Sequence, residues 1–130
     1  MARTRVCDEA TRRGRLTKAT TFLEQGEIIL LLAEEERDVA DAVVTLLVHA
    51  GIAAADVICC ARLGEHAHGE SHAEAIGLLE RADPGAVKHL KVLLALKTQA
   101  GYSALRTTPS NLKRARRSAA HLVEAAKTAT

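Results

Sequence analysis

Aromatic side chains are almost missing from this sequence, which has no tryptophan, one phenylalanine and one tyrosine (Phe22 and Tyr102) in 130 residues. That scarcity argues against a β-sheet core, where aromatic and β-branched residues dominate, and against a single-stranded nucleic-acid platform built on base stacking. Proline occurs twice, at Pro84 and Pro109, so few helix interruptions are expected. The three cysteines are Cys7 and the adjacent Cys59 and Cys60. They offer neither an even framework nor a zinc-type spacing, and reduced thiols in a cytoplasm are expected. The basic start MARTRVCDEATRRGR has no apolar stretch behind it, so no secretory signal is expected. Residues 39–61 are the most apolar run, but Asp41, His49 and Asp56 interrupt it. A buried helix fits that run better than a membrane span. No phosphate-cradling glycine loop, G-x-S-x-G elbow or C-x-x-C pair is present.

Apolar residues make up 48% of the chain, with alanine abundant. Leu, Val, Ile and Ala must therefore build the core, and that mixture favours helices. A first helix is expected over about 9–34, with Leu16, Ala19, Leu23 and the run Ile28–Leu32 on its core side. A second spans about 38–62 and carries two apolar stripes at helical spacing, which places it centrally or leaves a face for a partner. Ser71-His72-Ala73-Glu74 reads as a capping box opening a short third helix to about Ala82. Asp83-Pro84-Gly85 is a turn, a fourth helix covers about 86–106, and Thr107-Thr108-Pro109 starts a fifth running towards Lys127. The expectation is an all-α fold, an antiparallel four-helix bundle with one short extra helix, forming a single domain over 1–130. Residues 1–8 are expected to lack fixed structure.

The net charge of +2 conceals blocks of one sign. Residues 1–18 and 106–130 are mainly basic, whereas 24–41 hold seven acidic residues and one arginine. Solvation, or pairing within the fold or across a dimer, accounts for such blocks most simply. In the last helix, Lys113, Arg114, Arg116 and Arg117, with Arg106 just before it, lie opposite an apolar stripe. They form a candidate phosphate-binding patch whose alternative is a solvated face.

The connector RLGEHAHGESHAEA, residues 62–75, gathers His66, His68 and His72 with Glu65 and Glu70. Its H-x-H-x₃-H spacing matches no specific metal pattern, and no metal or other cofactor is expected. Arg62 and His68 have a spacing that suits RNA cleavage, the arginine holding phosphate and the histidine moving a proton. A polar corner between helices is the plainer reading. The fourth helix holds a further anomaly, since Lys97 falls where the stripe wants an apolar residue. His49 and Asp56, seven apart on the second helix, are polar within an apolar run. Either Asp56 neutralises Lys97 across the bundle, with His49 or the Tyr102 hydroxyl nearby, or Lys97 snorkels its ammonium to water.

The order of these elements resembles the HEPN superfamily of small helical bundles over about residues 10–127. The resemblance rests on LLVHAGIAAADVICCARLGE, on the short insert HAEAIGLLERAD, on LKVLLALKTQAGYSALR and on the final NLKRARRSAAHLVEAA. Lys97-x-x-Ala100-Gly101-Tyr102 is similar to the family's basic-x-x-Ala-Asp-Tyr run, with lysine and glycine in place of arginine and aspartate. Ribonuclease members carry R-x₄₋₆-H near a late helix, completed across a homodimer. Here Ala95 and Ala100 stand at those places, and Arg62 and His68 lie in the connector instead. The resemblance therefore implies a non-catalytic binding module for nucleotide, nucleic acid or a protein partner, cytoplasmic and homodimeric through its Ala-rich helices. The alternatives are a metal-independent, toxin-like endoribonuclease using Arg62 and His68, and a structural subunit that stabilises a partner as an antitoxin does.

Overall fold

A computed structural model describes residues 3–69 and 71–130. The chain is all-helical apart from one small sheet: β1 (Thr4–Val6), α1 (Glu9–Leu32), α2 (Glu36–Leu63), β2 (Glu65–Ala67), α3 (His72–Ala82), α4 (Val87–Tyr102) and α5 (Pro109–Ala129). A single 3₁₀ turn at Pro84–Ala86 leads into α4. Local chemistry sets these boundaries. Asp8 accepts from the Thr11 N–H to open α1, and Ser71 accepts from the Glu74 N–H to open α3. Thr108 accepts from the Asn111 N–H, with Pro109 at the first helical position of α5. Gly64, at φ 73°, ends α2 in the left-handed conformation that a residue with a Cβ adopts at a cost.

Helix α2 is the centre. Val43, Val44, Leu47, Ala50, Ala53, Ala54, Val57 and Ile58 are all wholly buried, and α1, α4 and α5 each pack against it. By length and hydropathy α2 is apolar enough to cross a bilayer, yet 72% of its most apolar window is buried inside the protein. Ala40, Ala50, Ala53, Ala54 and Ala55 are buried in these contacts, whereas Ala42 and Ala61 are exposed. Leu78 and Leu79 from α3, Leu90 and Leu93 from α4, and Leu122 from α5 complete the core, each contributing roughly 1.5–3 kcal/mol by burial.

Three expectations from the sequence are corrected. Residues Thr4–Val6 form a strand, pairing antiparallel with β2 in the register Thr4–Ala67, Arg5–His66, Val6–Glu65. The run Ile28–Leu32 faces the core only in part, since Leu30 is buried but Leu31 and Leu32 are exposed. Consecutive residues point around the whole circumference of a helix, and α1 is packed on one side only. The fourth helix stops at Tyr102 rather than Arg106. There the Asp41 carboxylate draws the chain back, accepting from the Thr107 N–H (2.9 Å) and hydroxyl (2.7 Å).

The expectation of reduced thiols throughout is also overturned. Cys7 and Cys60 form a disulfide, their Cα atoms 5.8 Å apart, and Cys59 alone is free. The two partners are distant in sequence, but α1 and α2 make a hairpin that returns the end of α2 to the start of α1. The bond removes the ground on which a reducing compartment was expected.

Candidate functional site

The helical hairpin also decides where Asp56 finds its partner. The Arg15 guanidinium donates to Asp56 Oδ2 through Nε and Nη2, both at 2.9 Å. Burial pushes the Asp56 carboxyl up from its ordinary value, and the charges of Arg15 and His66 oppose that rise. Asp56 therefore does not neutralise Lys97. Among the described residues Lys97 makes no ion pair and is half-buried. The expected involvement of Tyr102 is likewise overturned, because its side chain is 84% exposed at the last residue of α4. His49 was expected among buried polar groups, but it lies on the exposed edge of α2, its ring 5.9 Å from that of Phe22. Two turns apart on α2, His49 and Asp56 thus stand beside one cavity rather than inside the core.

That cavity has a volume of about 260 Å³ and lies among α1, α2, α4, the start of α3 and the segment after β2. Arg15, His49, Asp56, His72 and Lys97 supply its polar wall. Ile52, Ala55, Cys59, Ala75, Leu90 and Leu94 supply the apolar one. The His49 imidazole is held below its ordinary value by burial first, then by the charges of Lys97 and Arg15. The Cys59 thiol is pushed up to about 12, chiefly by burial and further by the Asp56 and Glu65 carboxylates. It is thus a thiol at neutral pH, without the thiolate that nucleophilic chemistry needs. The Ser71 hydroxyl is engaged as the α3 cap. The cavity can hold a ligand and orient it by charge, but it presents no activated nucleophile among the described residues.

The other expected residues scatter. Arg62 is exposed in the last turn of α2, whereas His68 follows β2, where its Nε2 lies 3.3 Å from an Arg5 guanidinium nitrogen. No hydrogen bond joins Arg62 to His68 among the described residues. His66 turns its Nδ1 to the Ala67 carbonyl at 2.9 Å, and Glu65 lies 3.9 Å from Arg81. Glu70 lies outside the described residues. Among the described residues no three His, Cys, Asp or Glu side chains converge as a metal cluster.

Of the basic patch, Arg116 makes a two-pronged pair with Glu27 at 3.1 and 2.7 Å, and Arg106 pairs with Asp38 at 3.1 Å. Arg114 bonds Asn111 at 3.3 Å. The C-terminal cations thus answer part of the acidic block within the fold. Lys113 and Arg117 stay exposed with no acidic partner among the described residues.

Sequence reasoning singled out His49, Asp56 and Lys97 as misfits, and all three line the cavity. It named His72 only among the connector histidines, and it missed Arg15 and the apolar wall. One signal for Arg15 was present: Arg15 and Asp56 lie at nearly equal distances on either side of the α1–α2 turn, as do Cys7 and Cys60. No family model matches this chain, and neither a curated protein nor a solved structure is found to match it.

Proposed function

We propose that this chain is a non-catalytic binding module, a HEPN-like arrangement of four long antiparallel helices with α3 inserted, that holds a small ligand in the cavity beside α2. The observation that carries the proposal is the meeting of Lys97, His49 and the Arg15–Asp56 pair over an apolar wall of Ile52, Ala55, Leu90 and Leu94. A concave, mostly apolar site with a few convergent polar groups is the usual form of a small-molecule pocket. Of the three ligand kinds the resemblance implies, a small molecule of nucleotide scale or less is favoured. Nucleic acid is less well served, because Arg106 and Arg116 are engaged by Asp38 and Glu27.

The test is a fragment screen read by amide chemical shifts in the intact protein. Binders should perturb Ile52, Ala55, Leu94 and Lys97, and Ala55→Leu, which fills the cavity, should remove those perturbations. A screen whose hits all map to residues 113–117, or hits indifferent to Ala55→Leu, would overturn the pocket as the binding site.

A further inference from the structure

We infer that the ligand of this cavity is a compact organic monoanion, a carboxylate on an apolar body of about ten heavy atoms. The inference rests on the cavity being the ligand site and assigns the chemistry it selects. Size comes first. A volume of about 260 Å³ corresponds to roughly nine molecules of liquid water at about 30 Å³ each, hence to a ligand with a similar number of heavy atoms. An oligonucleotide or a peptide helix is too large.

Charge comes second. Among the described wall residues the ionisable groups are Arg15, His49, Asp56, His72, Lys97 and the neutral thiol Cys59. Asp56 is the single carboxylate, and Arg15 holds it at 2.9 Å through two nitrogens. That pair cancels. Among the described wall residues one lysine charge is left over, and the two imidazoles can add positive charge but never negative. The start of α3 opens on the same cavity, with Ser71 and His72 in its wall. A helix N-terminus adds a partial positive charge, which Glu74 in the first turn of α3 partly offsets. Burial first, and then the charges of Lys97 and Arg15, hold the His49 imidazole below its ordinary value.

A single cation left uncompensated among the described residues matches one negative charge. A phosphate dianion is ordinarily met by several donors, as a free guanidinium fork or a run of loop amides. Here the one guanidinium in the wall is already committed to Asp56. The apolar groups then select the body: Ile52, Ala55, Leu90 and Leu94 face the volume left beside Lys97.

Four probes that share a phenyl ring test this by titration calorimetry and amide shifts: benzoate, its isostere benzamide, benzylammonium and phenyl phosphate. Benzoate should bind at least tenfold more tightly than benzamide and benzylammonium, and more tightly than phenyl phosphate. Lys97→Met, with Lys97→Gln as a second variant in case the first fails to fold, should erase the benzoate preference while leaving benzamide unchanged. Saturating benzoate should raise the His49 titration midpoint, since an anion favours the imidazolium. The preference should persist or widen in Glu70→Gln; a preference present only in that variant overturns the assignment for the native chain. Equal affinity for benzoate and benzamide overturns the anion assignment but leaves the pocket as a binding site. Phenyl phosphate binding tenfold tighter than benzoate replaces carboxylate by phosphate. No binding by any probe, with fragments from the screen also silent at the cavity, overturns both readings together.

Discussion

Asp56 shows how a half-buried charge chooses its partner. A carboxylate taken out of water needs a cation with hydrogen-bond geometry, and a guanidinium offers two directed donors where an ammonium is a point charge. Arg15 and Asp56 keep side-chain exposures of 28% and 15%, so the pair is more than a solvated surface contact but less than a sealed one. A double-mutant cycle on Arg15→Met and Asp56→Asn should give a coupling of about 1–3 kcal/mol, between the values typical of exposed and buried pairs. The matching cycle on Lys97 and Asp56 should give a coupling near zero. Equal couplings would show that Asp56 shares its charge between both cations.

Two histidines make stability depend on pH in a stated direction. His49 and His89 both titrate below the ordinary 6.5. For His89 the causes are burial first, then the charges of His121, whose ring stacks on it at 4.0 Å, and of Lys88. The unfolded chain therefore binds more protons than the folded one at pH values just below 6.5. Stability rises with pH through that window and falls on acidification. The Tm should drop between pH 7.5 and pH 5, and a His49→Gln, His89→Gln double variant should show a smaller drop. An unchanged drop would place the acid sensitivity in the carboxylates instead.

At the scale of elements, α2 accepts all four other helices because its surface is small as well as apolar. Gly51 is the tightest point. A Cβ there would run into the Leu93 side chain of α4 and come within 3.3 Å of Leu122 Cδ1 of α5. Gly51→Val should cost about 1–3 kcal/mol by overpacking, measured as a shift of the urea midpoint with unchanged slope. Stability retained in full would mean that α4 and α5 can draw back from α2 freely. The periodicity of apolar residues made α2 legible to within two residues at its start and one at its end, and the capping chemistry made α3 and α5 legible as well. The end of α4 was not legible, because Tyr102 to Arg106 contain no proline or other strong stop. What ends the helix is Asp41, distant in sequence, holding Thr107 through two hydrogen bonds.

Across the whole molecule, the Cys7–Cys60 bond closes the hairpin at the edge that also carries β1 and β2. It links residues 53 apart, and by chain entropy a loop of that length stabilises the fold by about 4 kcal/mol at most, with about 2–4 kcal/mol the common range. Cys7→Ser should lower stability by about that amount, and reductant should lower the wild type to the same level. A wild type indifferent to reductant would show that the bond contributes nothing to stability. Ala67 at the end of β2, with Gly69 and Ser71 beyond it, borders the cavity, and so does Cys59 beside the bonded Cys60, so the bond and the candidate site lie in the same part of the molecule.

The residues alone determined that this chain is helical, that α2 is its core and that His49, Asp56 and Lys97 are misfits needing an explanation. Each of those conclusions depends on spacing along one helix, which a sequence displays directly. Tertiary structure decided that Asp56 belongs to Arg15, that Cys7 reaches Cys60 and that the misfits line a cavity instead of pairing in a core. Those outcomes depend on which turn of one helix lies beside which turn of another, and that register is set by packing between residues far apart in the chain.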